Sequence, residues 1–529
     1  MIEETADEPV RVAEVVGALC LATDLAMGFP FEHGLRSTLL AMRLAERLGV
    51  DQTTATETYY VCLLSYAGCT ADAEVTAELF AGDMTRHFAP VMFGSQRQIV
   101  TGLARSLPDP TRSAPVRAAQ TLRRLPRASA TGKPHLTALC EVAEMLAARL
   151  AMPATIRAHF AFLTERWDGR GRLGRAARDE IPLSVRITHV ARDATFQRVL
   201  GTAEDAARVV RRRAGHAFDP AIARILADDA KTLLADRPQT SEWPALIACE
   251  PSPRSTLTGD GLDAALRAMG DFADLVSPNF VGHAAGVASL VATAATRMGF
   301  AERDVTTIRR AALVHDVGRV AVATRVWQKP DPLDADDWEK VRLHAYHTER
   351  VLAKSAYLAR LASVAGAHHE RLDGSGYHRG ATARDLGLDA RLLAAADAYH
   401  AMTEPRPHRD ALLPEVASET LLRECRAGLF DPDAVAAVLD ATGRPVRRIE
   451  RPAGLTDRET EVVALIARGL QTKQVARILD ISPKTADHHI QNAYAKIGVS
   501  TRAAAALFAM EHGLVAPGEL PMVTPARPS

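Results

Sequence analysis

Seven side chains, His283, His315, Asp316, His344, His368, His369 and Asp397, supply the imidazole nitrogens and short carboxylates that a two-metal phosphoester site needs. They fall singly or in pairs along 115 residues of chain, so only folding can bring them together. His315 and Asp316 interrupt the apolar run 311–320. Charged and imidazole groups rarely enter such runs unless something offsets their desolvation, and a bound dication does so. A phosphodiester resists hydroxide because its oxygens are negative. Two cations about 3.5–4 Å apart neutralise that charge and lower the pKa of a bridging water. One carboxylate must then span both ions, and Asp316 is the candidate. Nitrogen and oxygen donors without thiolate favour iron, manganese or another first-row ion over a structural zinc.

The elements that must carry these residues are helical. Alanine, leucine, arginine and glutamate dominate, aromatic residues make up 5%, and strand-like alternation is scarce. Helix-period segments recur, as at 39–48 and 285–298. The fold class is therefore all-α. At 529 residues the chain exceeds one core. Proline-rich polar breaks occur at 107–134, 237–260 and 441–454, the second and third of them suggesting boundaries, and the tail 516–529 reads as unstructured. The expected domains are 1–236, 261–440 and 455–515, joined by linkers 237–260 and 441–454. Lysine plus arginine balance aspartate plus glutamate at 64 each, so bulk charge neither requires nor excludes nucleic acid. Six cysteines form no CxxC pair, which argues against a zinc finger and fits a reducing compartment. No window reaches the roughly 18 apolar residues of a membrane span, and a cytoplasmic location without membrane contact is expected.

The first two pieces read as copies. His33 precedes Ser65-Tyr66-Ala67-Gly68 by the 32 residues that separate His283 from His315-Asp316-Val317-Gly318. Glu165-Arg166-Trp167-Asp168-Gly169 echoes Glu370-Arg371-Leu372-Asp373-Gly374, with Arg186 and Arg391 each eighteen residues beyond the aspartate. Phe218-Asp219-Pro220 matches Phe430-Asp431-Pro432. In this register His315, Asp316, His368, His369 and Asp397 become Ser65, Tyr66, Leu163, Thr164 and Arg192, and only His33 survives. The first copy keeps a scaffold without enough ligands for two metals. It is expected to regulate, sense a ligand or dimerise.

Residues 274–435 resemble an HD-GYP domain, the all-helical metal phosphohydrolase family whose best-known substrate is cyclic di-GMP. The residues that carry the resemblance are His283, His315-Asp316-Val317-Gly318, Lys329-Pro330, His344, His368-His369-Glu370, Asp373-Gly374-Ser375-Gly376-Tyr377, Asp397 and Arg406-Pro407. It implies two divalent ions, iron or manganese, held by His283, His315, Asp316, His344, His368, His369 and Asp397. Asp316 and Arg319 take the catalytic roles. Arg319, Gly374, Gly376, Tyr377 and Arg406 bind substrate, the glycines by letting backbone approach closely and the arginines by clamping phosphate oxygens. For both arginines the plain alternative is an ion pair. The chain departs from the family pattern at His378 after Tyr377, at Arg319 in place of lysine, at His408 within Arg406-Pro407-His408-Arg409, and at Asn279, which is not a carboxylate. His347, His378, His400 and His408 are read as solvated surface, as is the arginine group Arg123, Arg124 and Arg127.

The last sixty residues divide into four short helices. Thr456-Asp457-Arg458-Glu459 is a capping box, and Ser482-Pro483 opens a third helix with serine as N-cap. Ala486, Ile490, Ala493 and Ile497 form one buried stripe, opposite Lys484, Thr485, His488, Gln491 and Asn492. Two short helices with a polar N-terminal face on the second suit a helix-turn-helix reader. The segment resembles the LuxR-type DNA-binding domain through Leu455-Thr456-Asp457-Arg458-Glu459, Ala467-Arg468-Gly469, Lys473, Val475-Ala476, Ile481-Ser482-Pro483-Lys484-Thr485, His489, Lys496-Ile497-Gly498-Val499 and Ser500-Thr501-Arg502, with Ala486 where the family usually has valine. The resemblance implies that Lys484, Thr485 and His488 face the major groove of double-stranded DNA, with Ser482 capping that helix, while Lys473 and His489 hold phosphates. Residues 455–515 carry a net charge of +1 and the preceding linker +3, so one copy should bind modestly and a homodimer is expected.

Together these readings describe a one-component transcriptional regulator that senses or hydrolyses a cyclic dinucleotide or other phosphorylated small molecule. The alternative is a cyclic di-GMP phosphodiesterase that its DNA-binding module merely localises.

Overall fold

A computed structural model describes residues 8–68, 93–109, 111–235, 241–443 and 452–515. Helices account for nearly all its regular structure, as expected for an all-α chain; among the described residues the strands are Val10–Arg11 and Thr256–Leu257, paired antiparallel. The chain divides at residue 262 into two units, and within each the same kinds of helix pack in the same way.

In the first unit the helix His33–Leu48 lies against Leu183–Leu200 and Gln52–Leu63. Its apolar positions Leu40, Ala41, Leu44 and Ala45 enter a core shared with Ile187, Val190, Ala207, Val210, Phe218 and Ile222. The stretch 237–260, read as a linker, holds the helix Trp243–Ala248 with Trp243 and Leu246 buried. The expected break at 107–134 is a further difference. Helix Ala114–Arg149 runs through Pro126 and Pro134. Both prolines occupy exposed positions, where water satisfies the carbonyls they leave unbonded.

In the second unit His283–Arg297 packs on Glu302–Val314, Leu388–Met402 and Pro432–Ala441. Small residues set how closely the helices meet. A Cβ on Gly318 would lie 2.2 Å from the His344 carbonyl oxygen, and one on Gly286 would lie 2.0 Å from His400 Nε2.

The internal repeat is visible as matched contacts within each unit. Asp24 accepts the Gly34 N–H at 2.9 Å, and Asp274 accepts the Ala284 N–H at 3.0 Å. Trp167 N–H reaches Ala217 O at 3.1 Å, and Leu372 N–H reaches Leu429 O at 3.0 Å. Arg186 pairs with Asp219 at 2.8 Å, as Arg391 pairs with Asp431 at 2.9 Å. Three matched polar contacts with defined partners are not reproduced by helix packing alone.

The C-terminal helices are Asp457–Ala467, Thr472–Ile478, Pro483–Ile497 and Arg502–Glu511. Val462, Ile466, Val475, Ala486 and Ile490 meet in their core. Thr456 and Glu459 close the capping box, and Ser482 accepts the Thr485 N–H at 3.0 Å. Within the second unit these helices touch the preceding domain: Arg267 donates to Met510 O at 2.6 Å, and a Cβ on Gly469 would lie 2.7 Å from the Pro278 ring. Most of linker 441–454 and the tail 516–529 lie outside the described residues.

Candidate metal centre

All seven histidine and aspartate side chains singled out by spacing converge. His283 starts its helix, His315 and Asp316 end Glu302–Val314, and His344 lies inside Ala335–Leu352. His368 and His369 follow Ala356–Ala365, and Asp397 sits within Leu388–Met402. Asp316 is at the middle. Its Oδ2 lies 3.0 Å from His315 Nε2 and 3.4 Å from His283 Nε2, while its Oδ1 lies 3.3 Å from His344 Nε2 and 3.5 Å from His368 Nε2. Asp397 Oδ1 is 3.1 Å from His283 Nε2, and its Oδ2 faces His369 Nδ1 at 3.7 Å. The donors thus form two nests, His283–His315–Asp397 and His344–His368–His369, with one oxygen of Asp316 turned to each.

The outward-facing nitrogens fix which ring atom points in. Nδ1 of His315 and of His368 donates to a carbonyl three residues earlier, Ala312 O at 2.7 Å and Ala365 O at 2.6 Å, and His344 Nδ1 does the same to Val341 O. His283 Nδ1 donates instead to Glu404 Oε2 at 2.8 Å. With each Nδ1 engaged outward, Nε2 is the ring atom that faces the centre.

These residues fit a metal pair. Neighbouring ligands of an ion with bonds of about 2.1 Å stand roughly 3 Å apart, close to the observed spacing. His315 Nε2 and both Asp316 oxygens are buried without a hydrogen bond, although Arg319 Nη2 lies in ion-pair contact with Asp316 Oδ2.

Electrostatics separates the histidines. Burial pushes His368 down to about 4 and His369 well below the usual range, with His368 adding to the latter. Burial acts the same way on His283 and His315, but Glu404, Asp316 and Asp397 outweigh it, lifting His283 well above its usual value and His315 to about 9. Against burial, Arg319 and His315 hold Asp316 well below the carboxylate range, and His283 and His315 do so for Asp397.

Around the nests, Gly374 adopts φ +81° at a turn where Ser375 N–H donates to Asp373 at 3.0 Å. A Cβ on Gly376 would lie 2.5 Å from Glu370 Cα. Glu370 accepts the N–H groups of Arg379 and Ala381 at 2.7 and 2.8 Å, closing the loop that sets the Tyr377 ring 4.7 Å from that of His369. Arg319 stacks on Phe280 at 4.0 Å. Arg406 is turned inward, donating to Asn279 O at 2.8 Å and Glu404 at 2.9 Å.

Two site residues escaped the sequence. Glu404 is buried between His283, Arg406 and His400, whose Nδ1 lies 3.3 Å from Glu404 Oε1. His400, read as surface, is 5% exposed. Asp397 and His400 share one face of Leu388–Met402 and Glu404 follows just past its end; the spacing i, i+3, i+7 was the signal present in the sequence. His408 is exposed as read, whereas His347 and His378 are half-buried, His378 beside Glu349 at 3.3 Å.

In the first unit the corresponding space is filled by rings. Phe29 lies 4.7 Å from His33, 5.1 Å from Tyr66 and 5.5 Å from Phe196, and Arg192 covers Tyr66 at 4.1 Å. Both His33 nitrogens are buried without a partner, and burial, aided by Arg36 and Arg192, lowers its pKa to about 3.

On the C-terminal domain Lys473, Ser482, Lys484, Thr485 and His488 are exposed on the helix pair, and His489 is half-buried. No helix among the described residues is long and apolar enough to cross a membrane.

Residues 267–434 match the HD domain family, and residues 453–509 match the luxR family of bacterial regulatory proteins. The chain is 27% identical over 436 residues to a 3'3'-cGAMP-specific phosphodiesterase 3 of Vibrio cholerae, covering 81% of this chain and 94% of the relative. It is 35% identical over 162 residues to the cyclic di-GMP phosphodiesterase response regulator RpfG of Xanthomonas campestris, covering 30% of this chain and 42% of the relative. A crystal structure of a cyclic GMP-AMP specific phosphodiesterase of V. cholerae shares the fold, with TM-score 0.59 and 23% identity over 83% of this chain and 99% of that one. This chain therefore carries an HD domain followed by a LuxR-family domain, and its relatives are cyclic-nucleotide phosphodiesterases.

Proposed function

We propose that this chain, with its HD domain ahead of a LuxR-family domain, is a cytoplasmic one-component transcriptional regulator whose metal centre binds and hydrolyses a cyclic dinucleotide or similar phosphodiester. The observation that carries the reading is the placement of Asp316, one oxygen toward each histidine nest. Two ions, iron or manganese, would be held by His283, His315, Asp316, His344, His368, His369 and Asp397; when bound they supply positive charge and an activated water. The protein's own residues do the rest. Arg319, held over Phe280, puts a cation beside Asp316, where an incoming phosphate oxygen would be met. Tyr377 and the Gly374–Gly376 turn wall the side nearest His369. Arg406 fixes Glu404, which fixes His283.

Double-stranded DNA is the second partner. Lys484, Thr485 and His488 would read the major groove, Ser482 caps their helix, and Lys473 and His489 would hold phosphates. A homodimer would double this modest charge. The contact of Gly469 with Pro278, five residues before His283, supports coupling between metal centre and DNA-binding helices. The second reading, a phosphodiesterase that the C-terminal domain only localises, is favoured by the complete ligand set.

Two assays divide them. Hydrolysis of a chromogenic phosphodiester should fall to background in Asp316→Ala; equal rates would remove the enzymatic reading. Operator affinity at fixed salt should change when cyclic di-GMP is added, and an unchanged affinity favours the second reading.

A further inference from the structure

The first unit contains a cavity of about 720 Å³ bordered by Arg97, Arg166, Arg170, Arg212, Arg213 and His216, with Phe93 at its wall. We propose that it is a binding site for a small molecule carrying phosphate groups, of nucleotide size, separate from the metal centre.

The charge balance of the lining is the first argument. Its one carboxylate, Asp168, is bonded to Arg166 through two contacts of 3.1 Å. Arg213 is tied to Asp193 at 2.5 Å. The side chains of Arg97, Arg170 and Arg212 are exposed and make no hydrogen bond or ion pair among the described residues. Like charges gathered on one wall repel, and a planar guanidinium is the group that recognises phosphate oxygens through paired N–H bonds.

The internal repeat supplies the second argument. In the register fixed by Phe218-Asp219-Pro220 and Phe430-Asp431-Pro432, Arg212, Arg213 and His216 correspond to Glu424, Cys425 and Gly428. In the register of the Asp168 and Asp373 turns, Arg170 corresponds to Ser375. Both units make the same backbone contact here, Trp167 to Ala217 and Leu372 to Leu429. The scaffold therefore forms without Arg170, Arg212, Arg213 and His216, which are peculiar to the first unit, whereas Arg166 has its counterpart in Arg371.

Size and lining select the ligand class. The volume lies within the range of pockets that take cofactor-sized molecules, and the lining joins the apolar Phe93 and Val209 to the cationic side chains. A phosphorylated nucleoside satisfies both features.

The test uses the full chain and ADP, with adenosine as the phosphate-free control, read by hydrogen–deuterium exchange. ADP, and not adenosine, should slow exchange in residues 93–106 and 205–217. Arg97→Ala/Arg212→Ala should raise the half-saturating ADP concentration about tenfold or more, and Arg170→Ala should raise it in the same direction. These side chains are exposed, so the variants should keep the parent's melting temperature. Absence of ADP-dependent slowing in those segments, an unchanged half-saturation in all variants, or slowing by duplex DNA alone would overturn the proposal.

Discussion

Glu404 Oε2 accepts the Nδ1 hydrogen of His283 at 2.8 Å and a guanidinium hydrogen of Arg406 at 2.9 Å. The carboxylate is thereby immobilised, and it leaves the opposite nitrogen of His283 directed at Asp316 and Asp397. Carboxylates behind ligating histidines set ring orientation and basicity. Glu404→Gln should keep the shape and lose the charge, lowering metal affinity about tenfold to a hundredfold in a chelator-competition titration. Wild-type affinity in this variant would show that Glu404 does not act through His283.

His33 has the chain position of His283 without its surroundings. The variant His33→Ala should leave the metal content unchanged, because Phe29, Tyr66 and Phe196 fill the space where ions would sit. It should cost about 1–3 kcal/mol of stability through lost packing, measured by denaturant unfolding. A fall in bound metal would place a ligand where none is assigned.

Those two histidines also mark how far the sequence could be read. The side chains that converge were legible because imidazoles in apolar runs demand compensation. The filling of the first lobe was partly legible, in Tyr66 and Arg192 opposite Asp316 and Asp397; Phe29 and Phe196 carried no signal, since aromatic residues are ordinary core. Glu404 and His400 were overlooked because each, alone, resembles a surface residue. Helix Ala114–Arg149 was misread as a break because two prolines weigh heavily in any local reading, whereas exposure decides what they cost.

Lys473 and Lys484 are exposed and contribute nothing to the core of their domain. Lys473→Ala should weaken binding to all duplexes alike and reduce the slope of log K against log salt by about 0.9. Lys484→Ala should instead change preference among operator sequences. Filter binding across a salt series separates them, and identical behaviour of both variants would undo the groove assignment.

Glu459 is held down to about 2: burial opposes this, but Lys496 at 2.6 Å and Thr456 outweigh it. Its unfolded value is near 4.3, so its contribution to stability is complete above that pH and fades as pH falls toward 2. Glu459→Gln should destabilise the DNA-binding helices by about 1 kcal/mol at neutral pH, the usual worth of a helix cap, and by less at pH 2. Melting of a 452–529 fragment measures both, and an equal loss at the two pH values would contradict the pairing.

The central claim is that Asp316, with one oxygen toward each histidine nest, would be shared by two ions held there. Elemental analysis of purified full-length protein and of Asp316→Ala tests it most directly. The account predicts about two transition ions per chain in the parent and a loss of at least one in the variant. A parent without transition metal, or a variant with an undiminished complement, would contradict it.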